Sequence, residues 1–186
     1  MKGIRMNALE ELIARDQIHQ LADRYGIACD AKDLDSMALL FPEDVDSGRY
    51  GSGREGVKTC FDHVLRVFHC SMHMVGNHVI DFDSDDTAHG IVYCRAQHHV
   101  LEPEHWFDMA LAYWDTYERQ GDRWYFRRRQ LKSWYTQEFG YPGHSTERVL
   151  AQPGTRGSLR GICMPDAYPT VQEFWLREPR PIPGRS

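Results

Sequence analysis

The sequence predicts an α+β fold in which helices come first and a sheet follows. Up to about residue 68 the apolar residues recur at helical spacing, whereas from Met72 onward they lie in long runs separated by short polar turns. The chain has 186 residues, of which 41% are hydrophobic, enough for one domain with a sizeable core. We therefore predict N-terminal helices packed on one curved, mainly antiparallel sheet.

Three helices are predicted in the N-terminal part. The first two are indicated by apolar residues at i, i+3, i+4 and i+7, namely Ile18, Leu21, Ala22 and Tyr25, then Leu34, Met37, Ala38 and Phe41. Gly26 and the stretch 30–35 interrupt the pattern, and Pro42 ends the second helix. Residues 45–53 predict a short strand with a glycine-rich turn. A third helix follows, with Val57, Phe61, Val64, Leu65 and Phe68 at helical spacing.

Four long strands are predicted next, at 72–82, 87–102, 106–118 and 123–137. The Gly121–Asp122 pair between two aromatic-rich runs is a good hairpin signal. Residues 140–165 are rich in glycine and proline and predict a loop, whereas 169–176 predict a short helix with Pro169 in its first turn. We expect a domain over 1–140 and an extension over 141–186 that covers the pocket or a neighbouring subunit.

The overall composition argues against several classes of binding partner. The 22 basic and 27 acidic residues give a net charge of −5, which argues against a nucleic-acid partner. No apolar run approaches the ~20 residues that span a bilayer, and charged residues interrupt the first twenty positions, so we expect neither a membrane partner nor a signal peptide. The five cysteines follow no CxxC spacing and favour reduced thiols in the cytoplasm.

Asp30, His73 and His98 are the strongest candidates for chemistry. His98 ends a stripe of small residues that share one face of the second strand, Ala88, Gly90, Val92, Cys94 and Ala96. Small residues on a curved sheet leave room for a cavity. A carboxylate such as Asp30 can fix the tautomer of His73, so that the imidazole takes a proton from a ligand. No metal or cofactor is expected, because the histidines and cysteines show no standard zinc spacing.

Each candidate also has a purely structural interpretation. Asp30 could be an ordinary turn residue, and His73 and His98 could be satisfied strand histidines. Tyr25 shares a face with Ile18 and is a core residue first. Alternation places Arg129 on one face with Tyr125 and Arg127, and a neighbouring arginine could be the inward one. These alternatives stay open at the level of the sequence.

Three stretches carry a resemblance to a known family: CDAKDLDSMALLF (29–41), SMHMVGNHVIDFDSDDTAHGIVYCRAQHH (71–99) and TYERQGDRWYFRRR (116–129). They resemble the SnoaL-like family of the nuclear transport factor 2-like superfamily, in particular its scytalone dehydratase, bile acid 7α-dehydratase and hexachlorocyclohexane dehydrochlorinase branches. The resemblance implies a cone-shaped, cystatin-like fold. It also implies a proton-abstracting dyad at Asp30 and His73, with His98, Tyr25 and Arg129 in the active site.

The expected function is that of a cofactor-independent lyase of the dehydratase kind. Such an enzyme removes a proton from a small hydrophobic substrate, aromatic or polycyclic in the manner of a steroid, and releases water or another small group. Two alternatives remain. One is a retro-aldol carbon–carbon lyase that releases formaldehyde, or a polyketide cyclase or isomerase; the other is a non-catalytic ligand-binding or assembly module. The last two strands carry more aromatic residues than one covering layer of helices should need, which predicts a homo-oligomer, a dimer or a trimer.

Overall fold

The structure is a computed structural model that describes residues 6–102, 104–139 and 168–184. The described elements in chain order are α1 (Ala8–Asp30), α2 (Leu34–Ala38), α3 (Gly53–Leu65), β1 (Cys70–Phe82), β2 (Thr87–Leu101), β3 (Glu104–Gln120), β4 (Arg123–Phe139) and α4 (Pro169–Leu176). The four strands form an antiparallel meander in the order β1-β2-β3-β4. The predicted α+β class, with helices followed by one curved sheet, is confirmed.

Helix α1 is longer than the sequence pattern predicts. It begins with a capping box, in which the Asn7 side chain accepts from the backbone N–H of Glu10 and the Glu10 carboxylate accepts from that of Asn7. The predicted interruption at Gly26 is wrong, because this glycine lies buried inside the helix. A Cβ at Gly26 would lie 3.2 Å from the Cβ of His73. The glycine therefore lets α1 approach β1 closely and bring its last residue, Asp30, to the sheet.

A tight turn after α1 connects the helical elements. Lys32 adopts a positive φ of 50°, and its Nζ donates to the carbonyl oxygens of Leu65 (3.0 Å) and Phe68 (2.8 Å) at the end of α3. The predicted strand in 45–53 is reduced to a single bridge between Asp46 and Ser52. A 3₁₀ turn at Gly48–Tyr50 occupies the rest of that segment.

The concave face of the sheet packs against α1. Directly paired residues share a face, so the register places Ser71 with His98 and His73 with Ala96 on one side. A bulge between Val75 and His78 shifts the register, so that His78 lies on the same side of the sheet as His73. The small stripe of β2 is buried on this side, which places the core and both candidate histidines between α1 and the sheet.

Helix α4 packs on the same chain. Val171 and Phe174 are buried, and Thr170 Oγ1 donates to the carbonyl oxygen of Ala31 at the end of α1. Arg177 forms an ion pair with buried Asp62 of α3, with 3.0 Å between Nη1 and Oδ1. The predicted loop at 140–165 lies outside the described residues. The idea that the extension covers the pocket therefore stays a prediction.

Over the described residues, none of the helices combines the length and the apolar character that crossing a membrane requires.

Candidate active site

Asp30 and His73 form a hydrogen-bonded pair at the junction of α1 and β1. The Asp30 carboxylate accepts from His73 Nδ1 (2.7 Å), from the backbone N–H of His73 (2.8 Å) and from Ser71 Oγ (2.9 Å). The side chains of His73 and Asp30 are 7% and 14% exposed. Three donors therefore fix the carboxylate, and the carboxylate fixes the imidazole as the Nδ1–H tautomer.

The other ring nitrogen of His73 is available for a ligand. Within the described part of the chain Nε2 makes no hydrogen bond to a protein group, and in the Nδ1–H tautomer it carries the lone pair. The ring stands on the concave face, opposite the small side chain of Ala96. This arrangement is that of a general base oriented by a carboxylate.

His98 lies directly beside His73, with 5.5 Å between the ring centroids. The two rings are close because the β1–β2 register places them on neighbouring pairs of one face. Phe68 and Phe107 enclose the ring, at centroid distances of 4.3 and 5.0 Å. Burial, and then the nearby His73, lower the pKa of His98 to about 4, so the ring is neutral at pH 7.

Arg129 is the inward arginine of the 127–129 run. Its side chain is 6% exposed, whereas Arg127 and Arg128 are exposed. The alternation that grouped Arg129 with Arg127 is wrong, because a bulge in β4 opposite Thr116–Tyr117 changes the phase of the strand. Phe126 and Arg129 consequently lie on the same concave face, although they are three residues apart.

Tyr25 contacts the Arg129 guanidinium directly. The centre of the guanidinium lies 4.2 Å from the Tyr25 ring centroid, 4.0 Å from that of Tyr113 and 4.3 Å from that of Phe126. Burial raises the pKa of the Tyr25 hydroxyl well above its usual value, so it is a proton-bearing group at neutral pH. The structure thus brings Asp30, His73 and His98 together in one group. Tyr25 and Arg129 form a second group, also between α1 and the concave face of the sheet.

Asp115 was not predicted from the sequence. It forms a fork with Arg129, with 2.9 Å between Nη2 and Oδ2 and 3.1 Å between Nε and Oδ1, and its side chain is fully buried. Tyr117 donates its hydroxyl hydrogen to Asp115 Oδ2 (3.1 Å), and the His78 Nε2 lies 2.9 Å from the Tyr117 oxygen. The alternation of Tyr113, Asp115 and Tyr117 in β3 was the available signal, because an acidic residue inside an aromatic face needs a partner.

Among the described residues no group of three or more His, Cys, Asp or Glu side chains is placed to hold a metal ion.

Buried His98 and half-buried His78 predict a loss of stability in acid. Burial lowers the pKa of both His78 and His98 from 6.5 to about 4, so between these values the unfolded chain binds more protons than the folded chain. The free energy of unfolding should therefore fall as the pH drops from about 6.5 to about 4. Urea midpoints across this range will measure it. His98→Asn should flatten the slope, and the same change at surface His89 should not; an unchanged slope in His98→Asn would contradict this prediction.

The comparisons with known proteins agree with this fold. A family model described as a SnoaL-like domain matches residues 10–130. The structure of LinA is 26% identical, with a TM-score of 0.66 over 72% of this chain and 95% of that one. A type 2 hexachlorocyclohexane dehydrochlorinase is 23% identical, with a TM-score of 0.65 over 74% and 100%.

A scytalone dehydratase-like protein from Novosphingobium aromaticivorans DSM 12444 is 23% identical, with a TM-score of 0.63 over 73% of this chain and 93% of that one. Curated proteins give no match. At such identities the solved structures support the fold, and the family model covers more than half of the chain. The chain belongs to the SnoaL-like domain family.

Proposed function

We propose that the protein is a cofactor-independent lyase in which His73 removes a proton from a small hydrophobic substrate and a small group departs. One observation supports this most directly: the 2.7 Å hydrogen bond from His73 Nδ1 to Asp30, which leaves the Nε2 lone pair without a hydrogen bond to any described residue. Two further donors, Ser71 Oγ and the backbone N–H of His73, hold the same carboxylate in place, so it can orient the imidazole. The pair is therefore suited to take up a proton.

In the proposed reaction Nε2 of His73 takes a proton from a carbon that an electron-withdrawing group has made acidic. The electron pair left on that carbon forms a double bond, and the neighbouring carbon–oxygen or carbon–halogen bond breaks. A halide leaves as the anion, whereas a hydroxyl group leaves as water with the proton that His73 has taken up. Asp30 stabilises the imidazolium, as a buried carboxylate does for a cation. Neutral His98 and the hydroxyl of Tyr25 are the candidates for stabilising the negative charge that develops.

The apolar surroundings of the dyad support an uncharged, ring-bearing substrate. A cluster of buried residues follows the stripe of β2 and includes Val92, Cys94, Ala96, Leu111 and Tyr113. Solved structures of similar fold include dehydrochlorinases and a scytalone dehydratase-like protein, so elimination is the reaction that we transfer to this chain. A cytoplasmic location is part of the proposal, because Cys29, Cys60 and Cys94 form no disulfide with any described residue.

The test is a substrate panel followed by mass spectrometry in ordinary and in heavy water. The panel contains cyclic β-hydroxy ketones, chlorinated cyclohexanes and hydroxymethyl-substituted phenols. We expect a product that has lost water or hydrogen chloride, without added metal or cofactor. Release of formaldehyde would instead identify the carbon–carbon lyase. Neither product formation nor solvent deuterium exchange with any compound would contradict the proposed function and favour a binding module.

We also propose that the convex face of the sheet joins copies of the chain. This face carries Met74, Tyr93 and Trp134, with Trp134 68% exposed and its ring 5.4 Å from that of Tyr93. The two rings border an apolar groove of about 360 Å³. Exposed apolar patches of this kind mark interaction sites on soluble proteins.

Trp134→Glu should convert the proposed oligomer to a monomer, because it places a charge inside the apolar contact. Sedimentation velocity at micromolar concentration measures the change. Leu12→Glu is the matched control, since Leu12 is similarly exposed at 63% but lies on α1. The same oligomer in both variants, or a monomeric parent protein, would show that this face is not the interface.

A further inference from the structure

The buried pair of Arg129 and Asp115 leaves one guanidinium nitrogen without a protein partner. Nε and Nη2 of Arg129 bind the two carboxylate oxygens, at 2.9 to 3.2 Å. Nη1 is buried and makes no hydrogen bond to any described residue. Because buried donors in native proteins are almost always paired, this nitrogen points to an acceptor atom that the protein itself does not supply.

The surroundings of the guanidinium restrict that acceptor. Three rings, those of Tyr25, Tyr113 and Phe126, lie within 4.3 Å of its centre. An acceptor bonded to Nη1 would therefore lie beside aromatic surfaces, which suits an oxygen atom carried on a ring or next to one. The dyad lies on the same face of the sheet, since Tyr25 packs against the apolar cluster that contains Ala96, the cross-strand partner of His73.

Asp115 cancels the charge of Arg129. Both of its oxygens accept hydrogen bonds, Oδ1 from Arg129 and Oδ2 from Arg129 and Tyr117, so the carboxylate itself has little left for a ligand. The neighbouring basic groups add little spare positive charge. His78 and His98 are neutral. Lys32 keeps its charge, but its Nζ donates to two carbonyl oxygens at the end of α3, and the Asp30 carboxylate opposes that charge. The Asp30 carboxylate adds a negative charge to the space between α1 and the concave face of the sheet.

We infer that Asp115 determines the charge selectivity of the site: by neutralising Arg129 it makes the site accept an uncharged oxygen acceptor on a ring and reject a carboxylate. An anion would lose its hydration without gaining an unpaired cation. A carbonyl or hydroxyl oxygen would accept one hydrogen bond from Nη1. Asp115 acts through Arg129 and is a positioning residue that does not touch the substrate. This inference rests on the proposed function for the location of the substrate.

The test compares two ligands of nearly the same shape, 2-naphthamide and 2-naphthoate, by titration at pH 7.5. We expect the parent protein to bind the amide at least about tenfold more tightly than the ionised acid, because only the acid carries an uncompensated charge. Asp115→Asn keeps the shape of the side chain but releases the charge of Arg129. It should shift the ratio of the two dissociation constants at least about tenfold towards the acid.

Asp108→Asn is the matched control. Asp108 lies on the same strand and is paired with Arg95 (2.7 Å), but on the convex face, so its removal should leave the ratio unchanged. Circular dichroism checks the folding of each variant. If Asp115→Asn does not fold, the preference of the parent protein decides. Equal affinities, or no binding of the amide at millimolar concentration, would overturn the inference, as would an unchanged ratio in a folded Asp115→Asn.

The binding test is independent of catalysis. His73→Ala should keep the preference for the amide, because it leaves Arg129 and Asp115 in place. A protein with the expected preference but no reaction on any substrate would refute the lyase and retain the selectivity. A protein that eliminates water or hydrogen chloride yet binds the acid equally well would retain the lyase and refute the role of Asp115.

Discussion

Replacing His73 with alanine should lower kcat by about 10²- to 10⁴-fold on the substrate that the panel identifies, because a positioned base contributes that much. No other described group stands in the same place: His98, 5.5 Å away, is neutral with its pKa at about 4 and is a much weaker base. Asp30→Asn should have an effect of similar size, since an amide cannot stabilise the imidazolium. The measurement is steady-state kinetics, with circular dichroism as the folding control.

His89→Ala is the matched control for this experiment. His89 also places its Nδ1 against a carboxylate, that of Asp83 at 3.0 Å, but both side chains are 54% exposed. The control therefore separates the effect of losing any histidine–carboxylate pair from the effect of losing the buried pair on the concave face of the sheet. The dyad is wrong if His73→Ala keeps most of the activity, or if His89→Ala loses as much.

Asp115→Ala should reduce the free energy of unfolding by about 3–5 kcal/mol, because it leaves the guanidinium of Arg129 buried and unpaired. The side chains of this pair are 0% and 6% exposed, so water cannot replace the lost carboxylate. Asp115→Leu combined with Arg129→Met should restore most of the loss, since a buried ion pair exchanged for apolar residues of similar volume is often neutral. Urea unfolding of the single and double variants gives the comparison.

Asp108→Ala provides the contrast on the same strand. Its partner Arg95 is 60% exposed, so the cation can return to water and the loss should stay within about 1 kcal/mol. A loss of less than about 1 kcal/mol for Asp115→Ala would show that Arg129 finds another partner or leaves the interior. That outcome would also remove the structural basis of the charge selectivity.

Much of the fold follows from patterns of neighbouring residues. Alternation over residues 87–102 predicted the strand and the shared face of its small residues, because strand geometry fixes the side-chain period at two. The Gly121 turn was predicted correctly, and its φ of 65° is one that glycine adopts without strain. The candidacy of Asp30 and His73 came from their chemistry and from the family resemblance, and the 2.7 Å contact between them agrees with it.

Other features depend on contacts between distant residues. Gly26 was predicted to interrupt the first helix, but it lies inside α1 and lets β1 approach the helix closely. No local sequence pattern indicates this contact. The bulge in β4 turns Arg129 inward, and the cross-strand register brings Asp115 to it. His98 lies beside His73 because paired strands place residues 25 apart in neighbouring positions. Periodicity specifies which face a residue takes within an element, whereas bulges and register specify which side chains meet, and these are set only when the whole sheet packs against α1.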